Sequence, residues 1–177
     1  MLKKILIVLG VIIAIPLIGG LFMSSDYFVK RDIVINKSQA EVFDYIKSLK
    51  NQEKWSTFIL NDPKMKLSYM GTEGTVGSKV AWESDIMGVG EQEITQVMEG
   101  SGIAGNLRFK GWMESTAPVA LYAEPVTDSS TKVSWQMSGK MHYPMNFMQV
   151  FFSMDEMIGS EYAKSLSNLK TTLEGGR

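Results

Sequence analysis

The chain holds one histidine, His142, and no cysteine. Thiolate nucleophiles, disulfides and cysteine-based metal sites are excluded by composition. An acid–base histidine needs a positioned partner, and no G-x-S-x-G segment supplies a nucleophile elbow. His142 stands beside Tyr143 and Pro144, which reads as a loop ahead of the helical C-terminal end. Glu91 and Glu93 are a second candidate pair, because alternate residues of a strand share a face. Turned into an apolar interior, their pKa values would rise through desolvation and mutual repulsion, giving a general acid–base pair. Turned outward they form a solvated edge, the favoured facing, since burying two unpaired carboxylates is costly. Arg31 shares a strand parity with Val29, Ile33 and Ile35 and completes the candidate catalytic groups. The glycines of "GTEGTVG" (71–77) match neither G-x-x-x-x-G-K-[ST] nor G-x-G-x-x-G and lead into a strand, so they read as a turn. No spaced His/Cys set and no D-x-D-x-D-G loop is present, so neither a metal nor a cofactor is expected.

These residues are positioned by a chain of clear periodicities. "YFVKRDIVI" (27–35) alternates as a strand. Ser38 followed by Glu41 is a capping box that opens a helix with Val42, Phe43, Ile46 and Leu49 on one stripe. "NQEKWSTFILNDP" reads as a short helix or turn ended at Asp62–Pro63. Strands follow at 64–70, 78–84, 88–99, 102–111, 113–126 and 131–139, most of them joined by short links, which predicts antiparallel neighbours. Ile158, Tyr162, Leu166, Leu169 and Leu173 then step along one face of a long helix that Gly175–Gly176 stops. The expectation is an α+β domain with one long helix against a curved antiparallel sheet.

The first 25 residues differ from the rest. Lys3 and Lys4 precede an uncharged run whose apolar part, residues 5–23, is 19 residues long. As a helix it measures roughly 28 Å, close to the hydrocarbon thickness of a bilayer. An uncleaved transmembrane anchor (1–25) carrying one domain (26–177) fits this length better than a cleaved signal, whose apolar region is usually shorter. Lys3 and Lys4 favour a cytoplasmic N-terminus and a domain outside the cytoplasm. Lys30 and Arg31 carry the same count beyond the helix and support the alternative, a cytoplasmic domain. Charge is nearly balanced, with 18 Lys+Arg against 19 Asp+Glu, so no nucleic-acid partner is expected.

Aromatic and methionine residues carry the stronger functional signal. Trp82, Phe109 and Trp135 come from three strands on inward parities, and Met137, Met145, Met148, Met154 and Met157 gather at the last strand and the helical end. They make either an ordinary core or an adaptable apolar pocket, for which flexible thioethers are suited.

The segments "KRDIVINKSQAEVFDYI", "EKWSTF", "GTEGTVGSKVAWES", "GVGEQEIT", "LRFKG", "TKVSWQMSG", "YPMNFM" and "MIGSEYAKSLSNLK" occur in an order that resembles the START/Bet v1-like superfamily (SRPBCC; polyketide cyclase/dehydrase and lipid transport), in its small membrane-anchored bacterial form. The resemblance covers residues 27–174 and rests on structural rather than catalytic motifs. It implies a helix-grip fold: a seven-stranded antiparallel sheet wrapped around the C-terminal helix, with an apolar tunnel between them. The expected lining is Trp55, Phe58, Val80, Trp82, Leu107, Phe109, Val119, Leu121, Val133, Trp135, Met137, Met145, Met148, Met157, Tyr162 and Leu166. The function expected first is membrane-anchored binding or transport of a hydrophobic small molecule or lipid. A cyclase- or aromatase-like enzyme is the alternative, with Glu91, Glu93, His142 and Arg31 as candidate groups. An envelope protein-interaction domain with a packed core is the second alternative. An enzyme requires a titratable group aimed into the cavity, and an interaction module should lack a cavity of about 300 Å³ or more.

Overall fold

The structure, a computed structural model, describes residues 1–111 and 114–175. Helix α1 spans Leu2–Gly20 and is followed by β1 (Asp26–Ile35), α2 (Gln39–Ile46), a 3-10 turn (Leu49–Lys54) and α3 (Thr57–Leu60). Strands β2 (Lys66–Met70), β3 (Lys79–Ser84), β4 (Gly88–Met98), β5 (Gly102–Lys110), β6 (Ser115–Thr127) and β7 (Ser130–Lys140) come next. A second 3-10 turn (Met145–Val150) leads into α4 (Met154–Glu174). The expected strand start at Met113 and the second glycine of the helix stop, Gly176, lie outside the described residues.

The strands form one antiparallel sheet in the order β1-β7-β6-β5-β4-β3-β2. Only the β1–β7 neighbours are distant in sequence, so β1 closes the meander against the last strand. The fold is therefore α+β, a helix grip with α4 held by the curved sheet. The expected capping box is present: Ser38 accepts from the Glu41 amide, and the Glu41 carboxylate accepts from the Ser38 amide at 3.2 Å. The "GTEGTVG" segment is a turn in which Gly71, Gly74 and Gly77 all take positive φ, a conformation that side chains resist.

Antiparallel pairing sorts the loops onto two ends. At one end lie the start of β1, the end of β7, the link from β5 to β6, the β3–β4 turn and the start of α4. At the other end Glu174, the last residue of α4, accepts a hydrogen bond from the Asn36 amide just beyond β1. The interior toward this second end is solid: Ile46, Leu49, Trp55, Ile94, Leu121, Val133, Leu166 and Leu169 are all fully buried. Side chains of this size stabilise by about 1.5–3 kcal/mol each on full burial.

Helix α1 stands apart from this core, with its apolar side chains exposed along almost its whole length. It is long and apolar enough to cross a membrane or to serve as a signal sequence. It ends at Gly20, three residues earlier than the apolar run, where the Gly20 carbonyl is taken by the Asn146 side chain.

Candidate functional site

The interior toward the first end is hollow. A cavity of about 250 Å³ lies between the sheet, α3 and the first turns of α4. Its sheet wall is built from Leu67, Val80, Trp82, Gln92, Leu107, Phe109, Trp135 and Met137. Its helical wall is Gln52, Ser56, Phe58, Ile59, Ile158 and Tyr162, and Met65 and Met87 close it from two loops. Among the described residues no Asp, Glu, Lys, Arg or His lines it.

Local sequence explains how these side chains are held. Trp135, inward on β7, stacks on Tyr162 of α4 with ring centroids 3.8 Å apart and planes within 3°. Phe58 meets both rings edge-on, at 6.2 Å and 6.0 Å, and Trp55 meets Trp135 at 5.2 Å. Such pairs add about 0.5–1.5 kcal/mol each beyond area burial. α3 is tied to α4 by Ser165, whose hydroxyl accepts from the Thr57 amide at 2.9 Å, and by Asn168, which donates to the Trp55 carbonyl at 3.2 Å. On the far wall Trp82 packs edge-on against Phe109 at 5.8 Å. Trp82 lies flat over Gly90: a side chain there would collide with the indole and with the Arg108 carbonyl. Buried Asp62 accepts the Ser84 hydroxyl, and Ser84 accepts the Ile86 and Met87 amides at 3.0 and 2.8 Å. This clasp fixes the two loops that carry Met65 and Met87.

Some residues of the cavity wall carry donors that have no partner among the described residues. The indole nitrogens of Trp82 and Trp135, Gln52 Nε2 and the Tyr162 hydroxyl are all buried and unpaired. All four are covered by neighbouring protein atoms rather than open to the cavity space, and an unsatisfied buried polar group costs about 1–3 kcal/mol. Burial pushes the Tyr162 phenol well above its usual range, so it stays protonated as a donor.

Eight of the expected lining residues meet at the cavity: Phe58, Val80, Trp82, Leu107, Phe109, Trp135, Met137 and Tyr162. Trp55, Val119, Leu121, Val133 and Leu166 belong to the solid core instead, where neighbouring side chains bury them. Met145 and Met148 are exposed because the chain beyond β7 leaves the sheet and runs outside it, and Met157 is exposed because it lies on the outer side of α4, away from Tyr162, Leu166 and Leu169. Sequence reasoning missed Gln52, Ser56, Ile59, Met65, Leu67, Met87, Gln92 and Ile158. Gln92 and Leu67 carried a usable signal, the alternation of their strands; Met65 and Met87 sit in loops and carried none.

The candidate catalytic groups stand elsewhere. Glu91 and Glu93 point to the outer face, since Gly90, Gln92 and Ile94 take the inner one. Arg108 bridges them at 2.9 and 2.6 Å, and Lys110 and Lys79 complete the cluster at 2.8 and 3.4 Å. These cations hold both carboxyls below the usual glutamate range, opposite to the rise a buried acid–base pair needs. Arg31 does face inward, but its guanidinium grips Asp155 at the start of α4. His142 borders a separate surface cleft of about 700 Å³ with Asp26, Glu114 and Lys140. Exposed charged side chains wall that cleft, unlike the apolar cavity. Among the described residues no group of His, Asp and Glu is arranged to hold a metal ion.

No family model matches the chain, and no curated protein matches it. Solved structures do. The Aha1 dimer of Colwellia psychrerythraea is 17% identical over 85% of this chain and 98% of its own, with a TM-score of 0.60. Norcoclaurine synthase of Thalictrum flavum, in complex with dopamine and hydroxybenzaldehyde, is 8% identical over 89% of this chain and 92% of its own, with a TM-score of 0.66. A structural-genomics protein from Mesorhizobium loti is 13% identical over 85% of this chain and 99% of its own, with a TM-score of 0.63. These neighbours have Bet v1-like, SRPBCC-type folds, and the likeness is one of fold.

Proposed function

We propose that this protein binds a neutral, largely apolar small molecule or lipid in the cavity between sheet and α4, and that α1 anchors it in a membrane. The observation that carries the reading is the cavity wall: apolar and aromatic side chains, a few neutral polar groups and no ionisable group except a phenol held protonated. Ligand sites are typically of this kind and span about 300–1,000 Å³. At 250 Å³ the cavity falls just below that range, so the guest is compact or inserts only one end of a longer molecule.

A membrane tether would raise the effective concentration of the pocket at its lipid source. Binding is favoured over cyclase-like catalysis because the candidate acid–base groups lie outside the cavity. The ligand-bound synthase among the structural neighbours is consistent with a fold that accepts small aromatic guests.

Native mass spectrometry of the full chain, released from detergent after exposure to a total lipid extract, tests this. A retained adduct of defined mass is expected. A clean unliganded mass at every lipid concentration would overturn the binding reading and favour the interaction module.

A further inference from the structure

The segment from Met141 to Met154 contains no Lys, Arg, Asp or Glu. It is not a core element: Met145, Met148, Val150, Phe151 and Phe152 are exposed, Phe151 at 69%. Soluble surfaces rarely leave such a contiguous apolar patch uncovered. The segment is fastened to the end of α1. Buried Asn146 donates to the carbonyls of Gly20 and Met23 at 2.7 and 3.1 Å. Gln149 donates to the Ser24 carbonyl at 3.0 Å, and the Met141 amide donates to the Ser25 carbonyl at 2.8 Å. The ring of Phe147 lies where a side chain on Gly19 would be.

These contacts fix a depth. If α1 crosses a bilayer, its last turn lies at the interface, and whatever bonds to Gly20 and Met23 lies there too. The apolar run stops where Asp155 and Glu156 begin α4, which sets a limit to insertion. Ile158, one turn further into α4, lines the cavity, whose loop residues Met65 and Met87 occupy this same end of the sheet.

We propose that residues 141–152 form a shallow second membrane contact, lying in the bilayer interface beside α1 and turning the hollow end of the domain toward the lipid. This rests on the reading of α1 as a membrane anchor. The occupant of the exposed apolar patch is the phospholipid leaflet from which α1 emerges, and lipid reaches the cavity from that leaflet rather than through water.

The absence of native cysteine allows single-site spin labelling of the full chain. Ile12→Cys reports the middle of α1, Phe151→Cys the proposed contact, and Val126→Cys the exposed far end of the sheet. Each is reconstituted in phosphatidylcholine–phosphatidylglycerol vesicles, and collision with oxygen is compared with collision with a water-soluble nickel chelate. We expect Ile12 at bilayer depth, Phe151 about 5–10 Å into the headgroup–acyl boundary, as interfacial segments lie, and Val126 in water. Val150→Cys repeats the measurement one residue away and should give an interfacial depth as well. Deep Ile12 with Phe151 and Val150 as accessible to nickel as Val126 would overturn the second contact and leave the anchor standing. An aqueous Ile12 would overturn the anchor and this proposal together.

Discussion

Arg31 of β1 holds Asp155 of α4 through both terminal guanidinium nitrogens, at 2.8 and 3.0 Å, and a third bond reaches the Asp155 carbonyl at 2.9 Å. The guanidinium passes over Gly159, where any side chain would collide with it. One strand residue thus positions the helix start that borders the cavity. Both side chains are partly exposed, so solvent screens the pair and its part is to position the helix start rather than to stabilise the fold. Arg31→Ala should speed amide exchange at 154–159 with little effect elsewhere. Gly159→Ala should do the same, by displacing the arginine. The double variant should be more stable than Arg31→Ala alone, because alanine is the better helix former by about 1 kcal/mol once the guanidinium is gone. A double variant less stable than either single would contradict this geometry.

Tyr162 offers a separation of its hydroxyl from its ring. Its hydroxyl is buried without a partner, so Tyr162→Phe should leave the unliganded protein as stable or up to about 1 kcal/mol more so. The same change should leave the lipid adduct in native mass spectra intact, since the ring that walls the cavity is retained. Tyr162→Ala, which removes the ring stacked on Trp135, should cost about 3–5 kcal/mol.

The hollow itself can be filled. Leu107→Trp adds volume on the cavity wall. In a fully packed interior, overpacking costs about 1–3 kcal/mol, or several degrees of Tm. Here Tm should hold nearly constant while the lipid adduct disappears. A large drop in Tm with the adduct retained would mean that the space is elsewhere.

The expected parities explain which of these residues were legible in advance. Alternation in "TKVSWQMSG" put Val133, Trp135 and Met137 inward, and all three are buried. Whether an inward residue meets core or cavity is a three-dimensional matter: Val133 sits under α4, whereas Met137 sits beside a void. Met145, Met148 and Met157 looked like lining because an exposed apolar segment has the same composition as a buried one. Glu91 and Glu93 shared a face by spacing alone, but their pairing with Arg108 depends on the β4–β5 register, which no single strand encodes.

The Glu91–Arg108–Glu93 cluster predicts the acid limb of stability. Both folded-state carboxyls titrate below the unfolded range, so the unfolded chain binds more protons and stability rises with pH. The contribution is fully present above the ordinary glutamate pKa and is lost as pH falls through the lowered values. Thermal melts of the Glu91→Gln/Glu93→Gln variant between neutral pH and pH 3 should show a lower Tm at neutrality and a flatter acid limb. A parallel acid limb would show that the cluster contributes no linkage.

Gly90 lies directly under the Trp82 indole. Any larger residue at that position must push β5 aside or tip the ring into the void, and β5 is pinned between two strands. The missing side chain on the strand therefore works as a gauge block for the chamber: its absence sets how far the indole can recline, and so the largest guest the protein can admit.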